Sequence, residues 1–220
     1  MRMRRKKNID ARLAACAHLL ADKPEEPIST SQVDFDFEGD ICLEIGCGKG
    51  GFAVRCAAEN PTMCFYAMER VPNVMVNALE RAEREKDTRP DNLRFIIGRA
   101  EDLAEWFAPG SLSVLYLNFS DPWPKARNAK RRLTARKFLL TYFKLLSEDG
   151  TLYFKTDNVD LFNFTLDELK ALDRAPSYVT YDLHHSPFAA GNIMTEYESN
   201  FVNRGIAICA LAVSARQIHF

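Results

Sequence analysis

The residues of this 220-residue chain whose types suit chemistry lie just after apolar runs. Glu44 precedes Gly46-Cys47-Gly48-Lys49-Gly50-Gly51, which satisfies G-x-G-x-x-G. Glycines there permit a tight turn and a close backbone approach to a ligand, although the match alone is weak. A carboxylate beside such a loop suits a cationic, amino-acid-like ligand better than a pyrophosphate. Glu69 ends a second apolar run, where a carboxylate can accept hydrogen bonds from both hydroxyls of a ribose. Gly98-Arg99-Ala100-Glu101-Asp102 follows a third run, where an adenine would be gripped. Asp102 either pairs with the adenine amino group or caps the next helix. A fourth run leads into Asn118-Phe119-Ser120-Asp121-Pro122-Trp123-Pro124-Lys125. The prolines stiffen this backbone, Trp123 offers a face for stacking, and Asp121 is fixed at the mouth of the same cleft.

The net charge is −1 and the pI about 6.4, so the total does not advertise a nucleic-acid binder. The distribution says more. Seven basic residues and no acid lie between Lys125 and Lys137, among them Arg127, Lys130, Arg131 and Arg132. A local patch sets phosphate affinity, and phosphate contacts position a nucleic acid without reading its sequence. An RNA base drawn out of its stack would then meet Trp123 and Asp121. Residues 1–7 hold five further basic side chains, either an arm along phosphates or a solubilising end. Asp157, at the end of a fifth apolar run, points into the cleft or caps a helix.

Strand-like and helix-like segments alternate from Asp40 onward. Strands are predicted at Ile41–Ile45, Cys64–Met68, Leu93–Ile97, Leu112–Phe119 and Thr151–Lys155. Helices are predicted at 51–59, 74–85, 103–107, 134–146 and 161–172. The tail reads as two strands, 178–183 and 206–213, with no helix between them. Repeated βα units imply a parallel sheet with helices on both faces, and the terminal hairpin adds one antiparallel strand. Ligands of such sheets bind at the carboxyl ends of the strands, where the residues above are found. We divide the chain into a basic arm with a lead-in helix, 1–39, and an α/β domain, 40–220.

Other classes fit less well. The six cysteines form no C-x-x-C pair or zinc spacing and read as reduced core thiols of a cytoplasmic protein. No metal site is expected, because adjacent histidines such as His184 and His185 would face opposite ways on a strand. Apolar runs are too short for a membrane span, and the N-terminal segment lacks a cleavage site after an apolar core. Glu44 and the absence of a Tyr-x-x-x-Lys dyad disfavour a nicotinamide oxidoreductase.

The pattern E-x-G-x-G-x-G resembles that of S-adenosylmethionine-dependent methyltransferases. Leu43–Phe52, Asn118–Thr134 and Thr195–Glu198 together resemble the bacterial tRNA (guanine-N7-)-methyltransferase family, over about Ile41 to Arg216. The resemblance implies a Rossmann-like class I methyltransferase fold with a seven-stranded, mostly parallel sheet. It also implies S-adenosylmethionine as cofactor and N7 of a guanosine in the tRNA variable loop as target. Cofactor contacts fall on Glu44, Glu69, Arg99 and Asp121, with Gly46, Gly48, Gly50 and Ala100 around them. Asp121 is the candidate catalytic residue. Substrate contacts fall on Lys125, Asp157, Thr195, Glu196, Tyr197 and Glu198. Arg99 departs from the family's usual Asp or Asn, which leaves a backbone contact there. Family members occur as monomers and homodimers. Two alternatives remain: a methyltransferase of another RNA or DNA base, and a non-catalytic RNA-binding module.

Overall fold

A computed structural model describes residues 7–85 and 90–216. Most side chains of the predicted basic arm therefore lie outside the described residues. Seven apolar segments form strands: β1 (Asp40–Ile45), β2 (Met63–Glu69), β3 (Leu93–Ile97), β4 (Leu112–Asn118), β5 (Leu146–Thr156), β6 (Tyr178–Thr180) and β7 (Cys209–Ser214). They make one sheet in the order β3-β2-β1-β4-β5-β7-β6. Strands β1 to β5 are parallel, and β7 runs antiparallel to both of its neighbours. The order reverses between β1 and β4, which opens a crevice at their carboxyl ends.

Helices α1 (Ile9–Ala15), α2 (Gly51–Glu59), α3 (Pro72–Arg84), α4 (Leu103–Trp106), α5 (Arg136–Leu145), α6 (Val159–Lys170) and α7 (Glu196–Val202) complete the fold. Alternation along each strand separates two cores. Leu43, Ile45 and Leu117 pack with Phe138 and Leu161 on one face, while Cys42 and Phe65 pack with Phe52 and Leu79 on the other. Residues after α1 run beside β3, with Ala21 N–H donating to Phe95 O at 2.9 Å and bridges at Leu20–Phe95 and Ile28–Phe107. This covers an edge strand that would otherwise be open.

The tail differs from expectation. Helix α7 lies between β6 and β7, and β6 ends at Thr180. His184 and His185 belong to a 3-10 turn (Leu183–His185) rather than a strand. Helix α7 has only seven residues, too few for periodicity to reveal it, but its capping box was present in the sequence. Thr195 accepts from Glu198 N–H at 2.9 Å, and Glu198 Oε2 accepts from Thr195 N–H at 3.1 Å. Strand β5 also begins earlier than predicted. Its pairing with β4 jumps from Leu112–Leu146 to Val114–Thr151, which accommodates the turn at Gly150. A Cβ on Gly150 would lie 2.9 Å from Leu112 O.

One buried charge cluster ties the tail to the sheet. Lys155 of β5 donates to Glu198 Oε2 at 2.8 Å, Asn192 Oδ1 at 2.8 Å and Ile193 O at 3.0 Å. The Lys155 side chain is 9% exposed and that of Glu198 0%. Burial lowers the Lys155 pKa, partly opposed by Glu198. For Glu198 burial alone would raise the carboxyl, but the Lys155 ammonium holds it below its ordinary value. Removing one partner of a buried pair strands the other charge. Lys155→Met is therefore expected to destabilise the fold by about 3–5 kcal/mol in urea unfolding. Adding Glu198→Gln should restore a large part of that loss.

Candidate active site

The loop from β1 to α2 is shaped by glycine at positive φ. Gly46, Gly48 and Gly50 have φ of 83°, 58° and 74°. At Gly50 the packing is also close, since a Cβ would lie 3.0 Å from Ala78 Cβ and 3.2 Å from Phe95. Gly50 thus faces α3 and lets the loop settle on the sheet. Beyond the adjacent residues, no heavy atom of the described residues lies within 4 Å of a Cβ placed on Gly46 or Gly48, so they border open space.

Two clefts flank the crevice. The larger, about 650 Å³, is lined by Glu69, Arg99, Ala100, Asp121, Trp123 and Arg131 among others. The smaller, about 380 Å³, is lined by Glu44, Gly48, Phe52, Thr195, Glu196 and Tyr197 among others. They meet at Gly46, Asn118 and Phe119, which line both. The volumes suit a small ligand of nucleoside size.

Glu44 is the central group, only 2% exposed. Its Oε1 accepts from Asn118 Nδ2 at 2.9 Å, while Oε2 has no partner among the described residues. Burial pushes its pKa up to about 7, against the opposing pull of the Asn118 bond and the Lys155 charge. Asn118 Oδ1 and Ser120 Oγ also lack partners among the described residues. Unsatisfied polar atoms of this kind are uncommon in native folds, and those of Glu44, Asn118 and Ser120 converge on one crevice. Glu69 ends β2 and accepts from Val71 N–H at 2.9 Å. Its pKa is raised by burial, with backbone donors at Val71 and Gly48 pulling the other way.

Asp121 stands at the cleft mouth with a side chain 67% exposed, 3.4 Å from Arg70. The loop bearing it is strained, with Phe119 at φ 52° and Trp123 at φ 41°. For bulky residues such a conformation costs on the order of 1–3 kcal/mol and persists only where surroundings enforce it. Phe119 donates its N–H to Lys155 O at 2.9 Å, and its ring lies 5.3 Å from that of Tyr197. Arg131 covers the Trp123 ring at 4.9 Å.

The structure brings Glu44, Gly46, Gly48, Glu69, Arg99, Ala100 and Asp121 to these clefts. Arg99 is exposed and 3.4 Å from Glu101. Thr195, Glu196 and Tyr197 line the smaller cleft, where Glu196 is paired with Arg81. Glu198 does not join them: it is buried in the Lys155 cluster, beside His184 at 2.9 Å. Neither Lys125 nor Asp157 is among the residues lining the clefts, and the cap of α6 is Asn158, accepting from Leu161 N–H at 2.7 Å. In the basic run, Lys130, Arg131 and Lys137 line the larger cleft. Arg127 is exposed outside it, and Arg132 turns inward to the backbone of Pro122 and Trp123. Sequence reasoning missed Asn118 and Lys155. Strand alternation could have found both, because Tyr116 and Tyr153 lie two residues earlier on the same face.

The family described as "Putative methyltransferase" matches residues 38–211. A tRNA (guanine-N(7)-)-methyltransferase of Lachnoclostridium phytofermentans is 42% identical over 182 residues, covering 83% of this chain and 84% of that protein. This chain belongs to the bacterial tRNA (guanine-N7-)-methyltransferase family. Its fold recurs more widely. The 16S rRNA methyltransferase KamB is 14% identical with a TM-score of 0.60, over 80% of this chain and 87% of that one. A geranyl diphosphate C-methyltransferase from Streptomyces coelicolor A3(2), solved with S-adenosyl-L-homocysteine, is 14% identical with a TM-score of 0.54, over 93% and 76%. At such identities the likeness is one of fold.

In this member of the tRNA (guanine-N7-)-methyltransferase family, burial of Glu44 has a measurable signature. Its pKa stands at about 7 in the folded chain against an ordinary 4.5. The unfolded chain therefore loses this proton first as pH rises. Stability should fall between the two values and level off above the higher one. The full effect is on the order of 3 kcal/mol, by about 1.4 kcal/mol per unit. Urea unfolding at several pH values should show this slope in the ligand-free protein, and Glu44→Gln should remove it.

Proposed function

We propose that this chain transfers the methyl group of S-adenosylmethionine to N7 of a guanosine in the variable loop of tRNA. The observation that carries this reading is the joining of two features in one crevice. A buried carboxylate with an oxygen unpartnered among the described residues lies beside a glycine loop, and Asp121 and Trp123 line the adjoining cleft with Lys130, Arg131 and Lys137. The name of the 42% identical relative supports the same substrate. Residues 40–220 form the methyltransferase domain in this reading, 1–39 its arm and lead-in, and the cytoplasm its place of work.

The cleft residues fit the cofactor. Glu44 Oε2 can accept from an ammonium group, and Gly46 and Gly48 leave room for a close backbone approach. Glu69 can accept from ribose hydroxyls, and Arg99 and Ala100 border the adenine end. When bound, S-adenosylmethionine supplies a methyl group on a positively charged sulfur.

Guanine N7 carries an in-plane lone pair and no proton, so no side chain has to act as its general base. What the chain contributes is alignment and electrostatics. Trp123 and Tyr197 offer aromatic faces to a base drawn from its stack. Asp121 can accept hydrogen bonds from guanine N1–H and N2–H₂, favouring the cationic purine that forms. Lys130, Arg131 and Lys137 hold phosphates at the cleft rim. Correct alignment is worth about 7–11 kcal/mol of barrier in favourable cases.

Labelled S-adenosylmethionine with unmodified tRNA should yield 7-methylguanosine confined to the variable loop. Label in a different nucleoside would overturn the target, and no transfer despite cofactor binding would favour the binding-module alternative. Asp121→Ala should lower turnover by roughly 10²-fold or more while cofactor affinity changes only a few-fold. Near-normal turnover in that variant would remove Asp121 from the catalytic role.

A further inference from the structure

We infer that Arg132 is a positioning residue that holds the Asp121 loop in its strained working shape, and that it does not contact tRNA phosphate. This rests on the proposed methyl transfer for its kinetic readout, although the geometry stands independently of it. Arg132 Nε donates to Pro122 O at 2.9 Å and Nη2 to Trp123 O at 3.3 Å. One planar fork thus grips two successive carbonyls of the loop. Lysine, a compact ammonium on a flexible stem, cannot reproduce that fork. The guanidinium also lies 4.3 Å from the centre of the Phe164 ring on α6, which fixes its plane.

The segment behind Arg132 is anchored. Thr134 is fully buried and accepts from Thr165 Oγ1 at 2.8 Å. Ala135 N–H donates to Arg132 O at 3.0 Å. The fork therefore extends from a fixed base to a loop whose Trp123 stands at φ 41°. Such backbone relaxes when the contacts that enforce it are removed. Arg131, one residue earlier, is exposed on the Trp123 ring and lines the larger cleft, so the two neighbours divide the tasks. Arg131 presents charge to the outside, whereas Arg132 spends its donors on the chain itself.

The deciding variant is Arg132→Lys, which keeps the charge and loses the fork. If Arg132 positions the loop, turnover at saturating tRNA should fall by roughly 10²-fold, as a misplacement of about 1 Å does elsewhere. Affinity for tRNA and its salt slope should stay within a factor of about two. Amide exchange at Phe119–Trp123 should quicken at least about tenfold in the ligand-free protein, with the melting temperature little changed. Arg131→Ala, by contrast, should weaken tRNA binding and flatten the salt slope by about one phosphate. Unchanged turnover and loop exchange in Arg132→Lys would overturn the inference. So would a loss confined to tRNA affinity and salt slope in Arg132→Ala. If the wild type itself transfers no methyl group to tRNA, the proposed function fails, while the exchange measurement still judges the role of Arg132.

Discussion

A buried carboxylate with one oxygen bonded and the other unmatched is the constraint around which this cleft is organised. Glu44, next to last in β1, lies between β2 and β4, where neighbours on both sides exclude water. Two acids, Glu44 and Glu198, lie in the field of one buried ammonium, that of Lys155. Glu198 has the direct contact at 2.8 Å and is held ionised. Glu44 feels Lys155 only at a distance, keeps its free oxygen, and has its pKa raised by burial. This unequal sharing separates their tasks. Glu198 fastens the tail to the sheet, and Glu44 keeps the unmatched oxygen that, in the proposed function, meets a cationic ligand.

The same division explains what was legible in the sequence. A mostly parallel sheet, its single antiparallel strand and the positions of Glu44, Glu69 and Asp121 at or just after strand ends follow from alternating βα units and the terminal strand pair, because such topology puts strand ends together. Burial direction at a loop or short helix is not set by topology. The family resemblance implies a substrate contact at Glu198, yet the short helix α7 turns it inward. Strand alternation places Lys155 and Asn118 on the Glu44 face, but a lysine in a strand ordinarily signals solvent. Only the acids it meets make its burial affordable.

The basic run gives a second case. Along the sequence Lys130, Arg131 and Arg132 look alike, and composition assigns all of them to phosphate. The 3-10 turn over Ala126–Arg131 ends just before Arg132 and points it back at the loop. Donors already engaged by backbone carbonyls are poor phosphate ligands, since each would exchange one satisfied hydrogen bond for another. Counting charges therefore overstates the RNA-facing surface, and what each donor already touches decides its task.

Methylation of a ring nitrogen with an exposed lone pair asks little acid–base chemistry of the enzyme and much geometry. A rigid loop serves that demand better than a mobile one, because rate then depends on small displacements between nucleophile and methyl donor. The Asp121 loop is fixed at both ends. Phe119 is bonded to β5 through its N–H, and Trp123 is held through its carbonyl by Arg132. Two prolines, Pro122 and Pro124, reduce the freedom between and after them. The strain at Phe119 and Trp123 thus flanks Asp121, and in the proposed reaction the cost of an unusual backbone is offset by an Asp121 whose position is set before substrate arrives.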